Sequence, residues 1–201
     1  MDNLQRMTAV RKTGAEPLTA DGRAVGPTLA DFWGWSASDL VDNTERGVLA
    51  EFIVATALGI STDGVRESWA SWDLTTRDGV RVEVKSAAYL QSWGQKELSK
   101  ITFVTPKTLP WDADSGGFAA VAQRQAHVYV FALLAHTDKA TVDPLDLDQW
   151  TFYVLPTAVL DERTRSQQSM TLHTLQGLTT AVGFGELDAA VHGATRRTTA
   201  P

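Results

Sequence analysis

Trp72-Asp73-Leu74-Thr75-Thr76-Arg77-Asp78-Gly79-Val80-Arg81-Val82-Glu83-Val84-Lys85 is the stretch on which fold and chemistry both turn. Its second half alternates with period two. Val80, Val82 and Val84 point to one side of a strand, and Arg81, Glu83 and Lys85 point to the other. Arg77-Asp78-Gly79 is a turn signal, with glycine able to take the positive φ that a tight turn needs. Residues 68–75, rich in aromatics, read as the preceding strand. The spacing therefore predicts a β-hairpin with Asp78-Gly79 at its tip. Residues two apart on a strand share a face, so Glu83 and Lys85 emerge together. Asp73 falls on the partner strand, where its carboxylate can approach Glu83.

Upstream, Asp42-Asn43-Thr44 supplies helix-capping residues, and Gly59 a helix stop. Residues 45–58 between them read as a helix. Val48, Leu49, Phe52, Ile53, Val54, Ala57 and Leu58 are spread almost all round it, so it is expected to pack on more than one side. Glu51 lies inside this apolar run. Downstream, residues 101–105 read as a strand. Residues 126–135 (AHVYVFALLA) form the continuous apolar run of a central strand covered on both faces. Residues 149–155 read as another strand, Pro156 as the start of a helical turn, and residues 171–175 as a last short strand. This order of elements predicts an α/β sandwich with a mixed sheet. Residues 1–28 carry Gly14, Pro17, Gly22, Gly26 and Pro27 without periodicity and read as a loosely packed arm. The domain is expected over 29–192, with a disordered tail at 193–201.

Two carboxylates a few ångströms apart repel each other. They favour a hard, oxygen-seeking divalent cation between them, Mg²⁺ or Mn²⁺. Lys85 beside them offers a positive charge to a phosphate oxygen or a donor to orient a water. Two acids, a lysine and a metal form a workable set for phosphodiester hydrolysis. The competing reading is an exposed, salt-bridged strand face for Glu83 and Lys85, with Asp73 as a strand-end cap.

Asp73 followed by Glu83-Val84-Lys85-Ser86 resembles the D-x(n)-E-x-K signature of the PD-(D/E)xK nuclease superfamily. Gly47-Val48-Leu49-Ala50-Glu51 is similar to the G-x-x-x-E pattern of the helix that precedes the hairpin in that fold. Trp72 stands where the motif has its proline. The resemblance covers residues 44–155. It implies a restriction-endonuclease-like sandwich, a central mixed β-sheet flanked by helices. It also implies metal-dependent cleavage of DNA in restriction, defence or DNA processing. Asp73, Glu83, Lys85 and Glu51 would be the catalytic residues. Asp73, Glu83, Glu51 and the Val84 carbonyl would be the metal ligands. A catalytically silent member of the same fold, binding nucleic acid or protein, is the alternative.

Glu45 is the other candidate for the helix carboxylate, although at a helix start the dipole already accounts for it. Glu51 has a structural alternative too, pairing with Arg46 or Arg81. Ser86 can bond a phosphate or simply end its strand. Gln91 sits in a stretch that reads as surface or as a helical turn near the site. Trp93 and Trp111 can stack on bases or cover the core edge. His127 opens the central strand, where a hydrogen-bonded strand-end histidine is the commoner role.

The net charge of −6 argues against a broad basic nucleic-acid surface. A site that holds metal in carboxylates is compatible with it. Of six lysines, Lys85, Lys96, Lys100 and Lys107 gather around the motif. The absence of cysteine excludes disulfides, thiolate zinc sites and cysteine nucleophiles, and fits a reducing cytoplasm. Four histidines, His127, His136, His173 and His192, show no metal-binding spacing. The most apolar run is only strand-length, and residues 1–18 lack a signal-peptide pattern, so no membrane association is expected. No separate recognition domain is visible. Specificity for DNA, with RNA left open, is expected from loops, a partner or a homodimer.

Overall fold

A computed structural model describes residues 7–68, 70–109, 111–112, 117–118, 120–164 and 168–196. The chain runs through β1 (Pro17–Ala20), β2 (Arg23–Thr28), α1 (Leu29–Ala37), α2 (Asn43–Ala57), β3 (Leu74–Thr75), β4 (Arg81–Ala88) and β5 (Thr102–Val104). It continues through β6 (Trp111–Asp112), β7 (Gly117–Phe118), β8 (Val128–Leu134), β9 (Trp150–Pro156) and α3 (Thr157–Asp161). It closes with β10 (Ser169–Thr171), α4 (Leu172–Gln176), β11 (Ala181–Val182) and α5 (Leu187–Arg196). Among the described residues, no helix is long and apolar enough to cross a membrane.

The apolar run expected as a central strand is β8, buried at every position. It pairs parallel with β4, from Val82↔Val128 to Ala88↔Leu134. On its other side it pairs antiparallel with β9. The five-stranded order is β11-β9-β8-β4-β3, a mixed sheet with β3 at one edge. Side-chain alternation divides this sheet into two apolar faces. Val82, Val84, Val128, Val130, Phe152 and Val154 pack under α2 and α5. Ala87, Tyr129, Phe131, Leu133, Tyr153 and Leu155 pack under β5, α3, β10 and α4. The chain is thus an α/β sandwich with a mixed central sheet flanked by helices.

The helix expected at 45–58 is α2. Asp42 caps it, accepting from Thr44 N at 2.9 Å, and the chain leaves it through Gly59 at φ +60°. Its buried residues are Arg46, Ala50, Ile53, Val54 and Ala55, of which the consecutive 53–55 cover about 200° of its circumference. The helix thus packs on more than one side, as expected, although Phe52 remains 54% exposed. The buried Arg46 guanidinium satisfies its donors locally. It donates to Val41 O at 2.7 Å, Asn43 Oδ1 at 2.6 Å and Ser86 Oγ at 3.1 Å, joining α2 to β4.

The hairpin turn is as spaced. Thr76 N donates to Val80 O at 2.9 Å, Val80 N donates to Thr76 Oγ1 at 2.9 Å, and Gly79 takes φ +85°. The strand before it is shorter than residues 68–75, because only Leu74 and Thr75 join the ladder. The strand at 101–105 forms as β5 but pairs with β10, away from the central sheet. Residues 171–175 are mostly helical. β10 ends at Thr171, whose Oγ1 accepts from Thr174 N at 3.3 Å to start α4.

The N-terminal arm is more ordered than its composition suggested. β1 and β2 form an exposed hairpin across Asp21 (φ +49°) and Gly22 (φ +73°). α1 follows through a capping box, with Thr28 N donating to Asp31 Oδ2 at 2.7 Å. At the other end, α5 carries the chain through Arg196, so residues 193–196 are helical and not a tail. Residues 1–6 and 197–201 lie outside the described residues.

Candidate active site

The register of β3 on β4 fixes the geometry. Leu74 faces Val82 and Thr75 faces Arg81, and the ladder stops there, with Asp73 just outside it. Asp73 N donates to Val82 O at 3.1 Å. Its carboxylate Oδ2 accepts from Val84 N at 2.7 Å, taking the place of the next ladder bond. That substitution ends β3 and pins the carboxylate at the sheet edge.

Glu83 and Lys85 share a face of β4, as the period-two pattern requires. Lys85 Nζ donates to Glu83 Oε1 at 2.6 Å, with side chains 31% and 18% exposed. The Asp73 carboxyl titrates far above the usual range, pushed up to about 7. Burial is the main cause and the charge of Glu83 the next, with Glu51 adding to them. The Val84 N–H and the Lys85 ammonium pull the other way. Asp73 therefore feels Glu51, Glu83 and Lys85 together.

Glu51 lies on α2 and is engaged by Arg66, on the loop between α2 and β3. Arg66 Nε donates to Glu51 Oε2 at 2.5 Å and Nη2 donates to Oε1 at 2.6 Å, a bidentate fork. The sequence had offered Arg46 and Arg81 as partners for Glu51. Both have other partners, and Arg66 carried no pattern by which to find it. Glu45 sits in the first turn of α2, almost two turns from Glu51. A cavity of about 830 Å³ opens between the N-terminal arm and α2, lined by Trp33, Phe52, Glu51, Arg66 and Asp73. Among the described residues, no three histidine, aspartate or glutamate side chains gather closely enough to hold a metal ion.

The other candidates lie around this hairpin and the loops beside it. Ser86 accepts from Arg46. Gln91 donates to Ala88 O at 3.2 Å and Ser99 Oγ at 3.1 Å, folding a loop and no helical turn. Trp93 is 53% exposed. The backbone of Trp111 lies in β6. Trp72, at the position of the motif proline, donates from Nε1 to Thr75 Oγ1 at 2.8 Å, and its ring lies 4.9 Å from the Arg81 guanidinium carbon. His127 sits at the head of β8 against Arg81.

The fold and this arrangement define a class: an α/β sandwich with two acids and a lysine on the edge hairpin of its sheet. The profile of the bacteriophage T4 endonuclease IV family matches residues 34–174, most of the chain, and the chain belongs to that family. The family takes its name from a nuclease. The matched span contains α2, the edge hairpin, β8 and β9. No curated protein matches the chain.

Proposed function

We propose that the chain is a divalent-metal-dependent endonuclease that hydrolyses phosphodiester bonds of DNA, with a PD-(D/E)xK-type site. Its setting is restriction, defence or DNA processing in the cytoplasm. The reading is carried by the Asp73 carboxylate, held at the hairpin edge by the Val84 N–H within the field of Glu83, with Lys85 in contact with Glu83. Membership of a nuclease-named family supports it.

The residues suit Mg²⁺ or Mn²⁺. Asp73 is a half-buried carboxyl under the repulsion of two other acids, and a cation relieves that repulsion. The donors are all oxygens: Asp73, Glu83, the Val84 carbonyl and, once released by Arg66, Glu51. Bound there, the metal supplies Lewis acidity toward the scissile phosphate. The protein's own groups do the rest. Asp73 is held in place by the Val84 N–H. Lys85 exchanges its contact with Glu83 for a phosphate oxygen or the attacking water, adding positive charge where the transition state gathers negative charge. Glu83 orients Lys85 in the meantime.

Arg66 occupies Glu51 much as a metal would neutralise it, which is also the feature most consistent with a silent, binding-only member of the fold. The two cations compete under the active reading. Arg66→Ala is then expected to tighten Mn²⁺ binding about fivefold, as a screened charge pair is worth roughly 1 kcal/mol. Glu51→Gln is expected to weaken it by a similar factor. Calorimetry with both variants decides, and an affinity indifferent to both would leave Glu51 as a partner of Arg66 alone.

The proposed activity is tested with supercoiled plasmid, a DNA oligonucleotide and an RNA of the same sequence, each incubated with Mg²⁺, Mn²⁺ or chelator. Metal-dependent nicking of DNA is expected. No cleavage with either metal, or equal cleavage in chelator, would overturn the proposal.

A further inference from the structure

Beside the acidic cluster stands a cation with no ion pair among the described carboxylates. Arg81 opens β4 two residues before Glu83, on the same face, about 7 Å along the strand. Neutral groups hold it. The guanidinium lies over the Trp72 ring at 4.9 Å. Its Nη2 and Nε face His127 Nε2 at 2.9 and 3.2 Å, and the Arg81 backbone N lies 3.1 Å from His127 Nδ1. Three N–H donors thus converge on an imidazole that, when neutral, has one accepting nitrogen. The group has more donors than acceptors, and it faces solvent: His127 is exposed and Arg81 half-buried.

The other cations at the site differ. Lys85 is neutralised by Glu83 and Arg66 by Glu51. Arg81 alone of these three keeps its charge for an external anion. Trp72 and His127 fix the plane of its fork, so little rotamer freedom is lost when it binds. A phosphate oxygen supplies the acceptors the group lacks and geometry that a guanidinium fork matches.

We propose that Arg81, positioned by His127 and Trp72, binds the phosphodiester adjacent to the scissile one. The inference rests on the nuclease reading, which places the scissile phosphate at Glu83 and Lys85. The separation of about 7 Å along β4 assigns Arg81 to a neighbouring phosphate. The ligand is the backbone of a polynucleotide, so the contact fixes register and carries no base information.

The test measures binding of an end-labelled DNA oligonucleotide to the Lys85→Ala protein across a KCl series, with and without Arg81→Met. Methionine keeps an apolar stem over Trp72 and removes the charge. The variant is expected to bind about tenfold more weakly at low salt, with the slope of log affinity against log salt reduced by about one. Adding Arg81→Lys in place of Met is expected to restore the slope, a result that misfolding cannot give. Replacing phosphates one at a time with neutral methylphosphonate is expected to find one, next to the cleavage point, whose loss weakens binding with Arg81 present and changes nothing with Arg81→Met. With Lys85 intact, Arg81→Met is expected to raise KM and leave kcat near wild type. If the wild type cleaves but Arg81→Met leaves affinity and salt slope unchanged, this inference fails and the nuclease reading stands. If the wild type neither binds nor cleaves, both fail.

Discussion

Asp73→Asn is expected to make the metal-free protein more heat-stable at pH 8 while abolishing cleavage. The sign follows from the direction of the shift. The folded protein raises the Asp73 carboxyl from 3.8 to about 7, so it holds that proton more tightly than the unfolded chain does. Ionising Asp73 therefore costs stability. The cost is absent below about pH 4, grows between about pH 4 and 7, and is complete above about pH 7. Asparagine has no charge to lose, and its side-chain oxygen still accepts from Val84 N. The gain is at most about 4 kcal/mol at pH 8, which in a chain of this size corresponds to a rise of several degrees in Tm. It should nearly vanish at pH 4. Melting curves in chelator at both pH values measure it. Mn²⁺ is then expected to raise the Tm of the wild type and leave the variant unmoved. A variant melting no higher than wild type at pH 8 would mean that Asp73 is not under the electrostatic load described.

Glu83 and Lys85 are expected to fail in different ways when removed. Glu83→Ala should lose Mn²⁺ affinity and cleavage together, since the carboxylate is a proposed ligand. Lys85→Ala should retain Mn²⁺ and DNA binding but lower the single-turnover rate about 10²-fold or more, the usual scale for removing one electrostatic stabiliser. Lys85→Arg should rescue poorly, because a planar guanidinium does not replace a compact ammonium. Neither alanine variant should unfold the protein. The Glu83–Lys85 contact is partly open to solvent, where such pairs are worth roughly 0–1 kcal/mol.

The parts of the fold legible in the sequence are those that hydrophobic pattern alone dictates. The alternation at 80–85 and the unbroken apolar run at 126–135 each allow one placement in a sheet, and they became β4 and β8. Gly59 and Gly79 marked the helix end and the turn because both positions need positive φ. The parts that were not legible depend on partners distant in sequence. β5 has a strand pattern, but nothing local says that it pairs with β10 instead of the central sheet. β3 is short because the Asp73 side chain takes the Val84 N–H, a competition between side chain and backbone that composition does not reveal. The β1–β2 hairpin carries an Asp-Gly turn like the central one but has no apolar alternation beside it. Of the proposed site, spacing brought out Asp73, Glu83 and Lys85. It did not bring out Arg66 or the role proposed for Arg81, since a loop arginine and a strand-end arginine have no periodicity to expose them.

The measurement closest to the central claim is a single-turnover cleavage assay on supercoiled DNA at saturating Mn²⁺. Wild type and Lys85→Ala, purified identically, are run side by side and each is titrated separately for Mn²⁺ binding. The account predicts that both proteins bind the metal and that only the wild type cuts at an appreciable rate. A Lys85→Ala protein that cuts at the wild-type rate would take the lysine out of the mechanism and return Glu83 and Lys85 to an ordinary salt-bridged strand face.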